Sequence, residues 1–133
     1  YKIQGAFYKV YKVLGNVHKE IIYHKALIDE LTDVGLKAES QKQINVYYRG
    51  KKVGVYVPDI VVDDLIIIEL KCKPVLARGD VSQFWHYLKG SEYKLGYLVN
   101  FGSEGKVQMI RRVYDTARVL SRSFASFFAA FYD

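Results

Sequence analysis

Apolar residues in this chain follow a helical period at the start and a strand period through the middle. From about position 7 to 34, Val10, Leu14, Val17, Ile21, Ile28 and Leu31 fall mostly on one stripe of a helix. Gly15-Asn16 interrupts the stripe, which predicts two helical pieces with a bend between them, and Gly35 suits a C-terminal cap. Positions 43–49 and 52–57 are β-rich and flank Arg49-Gly50-Lys51, a hairpin signal. The run PDIVVDDLIIIELK then reads as strands covered on both faces, and Asp63-Asp64 turns it into a second hairpin of 58–62 and 65–72. Together the two hairpins predict an antiparallel meander of three strands. Pro74 and Gly79 mark a loop, after which Asp80 is expected to cap a helix over 81–89 that Gly90 ends. Positions 95–100 form another apolar strand, reached by a crossover through that helix, and 107–113 a last one. Over 115–133, Leu120, Phe124, Phe127, Phe128 and Phe131 share a stripe that predicts an aromatic C-terminal helix. Such a helix docks on its own domain or pairs two copies as a homodimer. A membrane-surface role fits it least, because its polar face carries only Arg118 and Arg122.

Composition narrows this to an ordinary globule. At 133 residues the chain predicts a single domain, 1–133, able to bury roughly 70% of its unfolded surface. Its +6 charge mildly favours a polyanionic partner, although basic balance alone is weak evidence. Cys72 is the only cysteine, so no disulfide forms within the chain and a reducing, cytoplasmic compartment is expected. No apolar run is long enough to span a membrane and no leader pattern is visible. A start at Tyr1 rather than Met leaves a preceding segment open.

Candidate chemistry gathers at the second hairpin. If 65–72 is a strand, Leu65, Ile67, Glu69 and Lys71 share one side, and the turn returns Asp59 to about the level of Glu69. Two carboxylates held together away from water repel each other, and a divalent cation relieves that. Oxygen ligands of this kind suit Mg2+ or Mn2+, and Lys71 then faces an anionic transition state or orients a water. Without its surroundings, the pattern equally describes a Glu–Lys pair at an exposed strand end with Asp59 in a loop. Glu20 and Tyr23 lie three apart on one helical face, as a functional pair or a solvated one. His18 and His24 lack zinc-site spacing. The tip YYRGKK offers Arg49, Lys51 and Lys52 to a phosphate backbone, or only to water, and Lys73 is counted with them. Gln83 and Tyr87 sit one turn apart on the helix after the loop.

In this order the residues resemble the PD-(D/E)XK nuclease superfamily, and within it the small GxxExxY proteins. The resemblance runs from about Val10 to Tyr114 through Glu20 and Tyr23, Tyr47-Tyr48, Gly50, Pro58-Asp59, Glu69-Leu70-Lys71, Gln83 and Tyr87-Leu88-Lys89, and Gly96 to Phe101-Gly102. One departure is clear: where the name-giving glycine precedes the glutamate by three residues, this chain has Val17, with Gly15 two residues earlier. The resemblance implies an α/β (α+β), restriction-endonuclease-like core, a mixed four- to five-stranded sheet flanked by helices. It implies Mg2+- or Mn2+-dependent hydrolysis of phosphodiesters. Asp59, Glu69 and the Leu70 carbonyl would bind the metal, with Glu20 as an additional carboxylate. Lys71 would be catalytic, Gln83 would orient Lys71 or substrate, and Tyr23 and Tyr87 would line the site or touch a phosphate. Two functions follow: a deoxyribonuclease of repair, recombination or defence, or a non-catalytic module of the same fold that binds nucleic acid or protein. DNA is the expected partner, with RNA not excluded. No base-reading motif is visible, so binding is expected to be salt-sensitive and backbone-dominated.

Overall fold

The structure, a computed structural model, describes residues 1–114. Helices α1 (Lys2–Leu14) and α2 (Glu20–Asp33) are separated where Gly15 takes φ 68°, a left-handed conformation that suits a residue without a Cβ. Then come β1 (Ala38–Ser40), β2 (Ile44–Tyr48), β3 (Lys51–Tyr56), β4 (Ile60–Val62) and β5 (Ile66–Lys71). Helix α3 (Arg78–Gly90), β6 (Leu95–Asn100) and β7 (Gln108–Val113) complete the described chain. Strands β1-β4-β5-β6-β7 form one sheet in that order; β5 and β6 run parallel and every other pair antiparallel. The crossover from β5 to β6 goes through α3, so this is the expected α+β, restriction-endonuclease-like fold. Among the described residues no helix is long and apolar enough to cross a membrane.

The central strands are apolar almost throughout because both faces of the sheet are covered. Ile68 and Leu70 of β5 pack with Phe7, Tyr23, Leu27 and Leu31 from α1 and α2. Ile67, on the alternate face, packs with Leu98, Ile44, and Phe84 and Leu88 of α3. Glu69 and Lys71 follow Ile67 at period two, so they continue the α3-facing side beyond its apolar part.

Four expectations need correction. Helix α1 begins at Lys2 rather than near position 7, because Ile3 and Ala6 extend the buried stripe toward the N-terminus. Strand β1 was not anticipated: it pairs with β4, as Ala38 with Val62 and Ser40 with Ile60. It occupies the β4 edge, so the meander does not form and β2–β3 stands as a separate two-stranded sheet. Asp80 is not the N-cap of α3. It lies in the first turn, where its carboxylate accepts the backbone N–H of Ala77 at 2.8 Å. The aromatic stripe over 115–133, and dimerisation through it, lie outside the described residues.

Two glycines mark where elements touch. A Cβ on Gly96 of β6 would stand 2.7 Å from the Phe84 ring, so this glycine lets α3 sit close on the sheet. A Cβ on Gly102 would run into the backbone of Cys72 and Lys73. A ring can shift and a strand exit cannot, so Gly96→Ala is expected to cost about 1–3 kcal/mol in urea unfolding and Gly102→Ala more. Equal stability of the Gly102→Ala and parent proteins would contradict this packing.

Candidate active site

The β4–β5 ladder pairs Ile60 with Ile68, and one step further Asp59 comes opposite Glu69. There the backbone pairing stops and the side chains replace it. The Asp59 N–H donates to Glu69 Oε1 at 2.8 Å, and the Leu70 N–H donates to Asp59 Oδ2 at 2.7 Å. Each carboxylate is thus fixed by a backbone amide of the other strand, a charge-assisted bond of the strong kind. Pro58 is buried just before this pair and supplies no N–H to compete.

Burial and the neighbouring Asp59 charge push the Glu69 carboxyl up to about 7. Burial, then Asp59, also raises Glu20, while Lys71 opposes the rise in both acids. Glu20 opens α2, and the break after α1 brings that helix end toward the close of β5. Three acids and one lysine therefore act on each other electrostatically although they lie far apart in sequence. The Lys71 Nζ is 3.9 Å from Asp80 Oδ1, which places it between these acids and the first turn of α3.

Helix α3 supplies the opposite wall. Lys73 Nζ donates to both carboxylate oxygens of Asp80, at 2.7 and 2.8 Å, so its charge ties the loop to α3. Those bonds, and that from Ala77, hold Asp80 below the usual carboxylate range. Gln83 is one turn beyond Asp80 and exposed, and Tyr87 one turn beyond Gln83. The Tyr87 ring stacks on Tyr56 at 4.2 Å between centroids. Tyr23 faces the other way. It is fully buried, stacks on Phe101 at 4.7 Å, and donates its hydroxyl to the Gly15 carbonyl at 2.5 Å. It braces the α1–α2 bend and has no surface for substrate. Arg49, Lys51 and Lys52 are exposed at the β2–β3 tip.

Three neighbours escaped the sequence reading. The Tyr56 hydroxyl is buried beside Glu69 without a well-formed hydrogen bond, and burial, then that carboxylate, raises it far above the usual phenol range. Its place two residues before Pro58, at the base of a hairpin, was the available signal. The sequence signal at Asp80 is that of a cap alone. Asn100, in register with Lys71, is completely satisfied: Oδ1 accepts the N–H groups of Lys73 and Gly102, and Nδ2 donates to Lys73 O and Gln108 Oε1. With Phe101 N–H donating to Lys71 O at 2.9 Å, it pins the chain directly after the lysine.

The donor set suits a hard divalent cation. Asp59 Oδ1 and Glu69 Oε2 are not taken by the bonds above, and a cation between mutually repelling carboxylates would reverse the rise in Glu69. Among the described residues no three His, Cys, Asp or Glu side chains stand ready as a closed ligand group. The fit is therefore to an ion held by two carboxylates and water, as Mg2+ accepts, rather than to a protein cage.

A mixed sheet flanked by helices, with paired acids and a lysine at the end of its central strand, is the architecture of a restriction-endonuclease-like protein. The chain belongs to the PD-(D/E)XK nuclease superfamily, whose family model matches residues 1–113. No curated protein and no solved structure matches it.

Because the fold raises Glu69 from 4.5 to about 7, it favours the protonated acid. The stability this contributes is complete below about pH 4.5 and is lost as pH rises through 7, on the order of 3 kcal/mol in all. Urea unfolding in chelator is expected to show that loss in the parent protein and not in Glu69→Gln. Mn2+ at about pH 8 is expected to restore the parent alone. Parallel pH profiles for the two proteins would contradict the assignment.

Proposed function

We propose that the protein is a Mg2+- or Mn2+-dependent deoxyribonuclease of the GxxExxY kind, hydrolysing phosphodiesters in repair, recombination or defence against foreign DNA. The observation that carries this reading is the reciprocal fixing of Asp59 and Glu69 by each other's strands, with Lys71 on the same face. Asp59, Glu69 and the Leu70 carbonyl would hold the ion, with Glu20 adding a carboxylate at its edge. When bound, the ion supplies a nucleophilic water near neutral pH and draws charge from the phosphate.

The chain's own residues do the rest. Lys71 faces the charge that builds on the phosphoryl oxygens and helps orient the attacking water. Asp80, with Oδ1 3.9 Å from Nζ, helps position that ammonium beside the acids. Gln83, one turn along α3, orients Lys71 or the substrate. Tyr87, 36% exposed and stacked on Tyr56, offers its edge to a phosphate. Arg49, Lys51 and Lys52 extend the positive surface along which a DNA backbone lies.

A panel of single-stranded, duplex and branched DNA with Mg2+ or Mn2+ is expected to be cleaved by the parent protein. Glu69→Ala and Lys71→Ala should each slow it at least about 100-fold. Retained cleavage in both variants would reject the assignment. A parent protein that binds DNA but cleaves none of it would favour the non-catalytic module.

A further inference from the structure

Hairpin β2–β3 is exposed far beyond what holding the fold requires. One side packs on α3, where Ile44 joins Phe84 and Leu88 and Val46 lies near Gly90. Elsewhere the hairpin is open: Tyr48 and Val53 are both 62% exposed, Val55 50% and Tyr47 38%. From Ile44 to Tyr56 the chain carries Arg49, Lys51 and Lys52 and no acid. The Arg49 guanidinium stands 5.4 Å from the centre of the Tyr48 ring. Lysines on open strand edges are explained by the need to keep those edges unpaired, but exposed tyrosines are not. Rings interleaved with cations, without acids, are what an unpaired nucleic-acid strand recognises: bases stack on the rings and phosphates meet the charges.

The arm also leads into the candidate site. Strand β3 continues through Val57 and Pro58 to Asp59, roughly 25 Å from the tip. Beside Asp59 opens a cavity of about 390 Å³, walled partly by Ile21, Val57 and Pro58, with Lys25 and His24 at its polar side. An apolar wall next to a cation suits a splayed base or sugar beside its phosphate, which a paired duplex does not present. A second copy of the chain is the poorer occupant, since two such arms would set cation against cation.

We propose that hairpin β2–β3 is a stacking arm for single-stranded nucleic acid, with Tyr48 as a principal platform, that feeds an unpaired strand to Asp59. This rests on the nuclease reading for the direction of the strand, but its test does not need cleavage. Binding of fluorescent oligothymidylate, its duplex and an abasic strand of equal length is measured by anisotropy on the full chain in chelator. The oligothymidylate is expected to bind best, and Tyr48→Ala to weaken it about tenfold, leaving the abasic strand unchanged. Tyr48→Phe should keep the affinity, and Leu65→Ala, an exposed residue at the far hairpin turn, should change nothing. Equal affinity of Tyr48→Ala and parent for oligothymidylate would overturn the arm, as would equal binding of all three nucleic acids. So would self-association that Tyr48→Ala abolishes without any oligonucleotide binding. Absence of cleavage in the DNA panel would overturn the nuclease reading and leave these binding results standing.

Discussion

Two hydrogen bonds at the end of one hairpin decide what this protein can be. Where β4 and β5 stop pairing through their backbones, Asp59 accepts from Leu70 N–H and Glu69 accepts from Asp59 N–H. Carboxylates without such donors would turn to solvent, because a buried unpaired charge costs several kcal/mol. Here the donors hold them in, while burial, and then the nearby Asp59 charge, keeps Glu69 raised to about 7. The arrangement is stable enough to fold, and the repulsion it leaves is what a cation would relieve on the proposed reading.

The surrounding fold serves that pair. Phe7, Leu27 and Leu31 cover one face of the sheet, and Phe84 and Leu88 the other, so the hairpin's register is fixed by burial on both sides. The α1–α2 bend, locked by Tyr23 on Gly15, brings Glu20 into the electrostatic reach of Asp59 and Lys71. From the other side Lys73 ties Asp80 to the loop after β5, and Asn100 fixes the chain where Lys71 leaves the strand. Each contact limits where a side chain of the site can go, and none of these contacting groups is a candidate ligand.

How much of this could be read from the residues depended on whether a local pattern existed. The β4–β5 hairpin and the parallel β6 were legible, because apolar runs bounded by Asp63-Asp64 and Gly90 admit few arrangements. The facing of Ile67 and Glu69 followed from the period of a strand. Strand β1 was not legible: Ala-Glu-Ser has no alternation, and its place is set by the open edge of β4. With no signal for β1, the pattern of β2–β3 points to the main sheet, since a hairpin pattern does not say what it packs on. Tyr23 departs from its expected place at the site surface for a related reason. A tyrosine near a site looks like a substrate contact until its burial and its partner, Gly15, are known.

The most direct measurement of the central claim is a calorimetric titration of the full chain with Mn2+, comparing the parent protein with Asp59→Asn. Asn still accepts the Leu70 N–H but lacks the charge, so the fold survives and only the carboxylate pair is removed. The account predicts carboxylate-dependent binding that takes up Mn2+ with release of a proton at pH below about 7, where Glu69 is protonated, and that Asp59→Asn weakens at least about tenfold. Equal Mn2+ binding by the two proteins, or none by either, would contradict it.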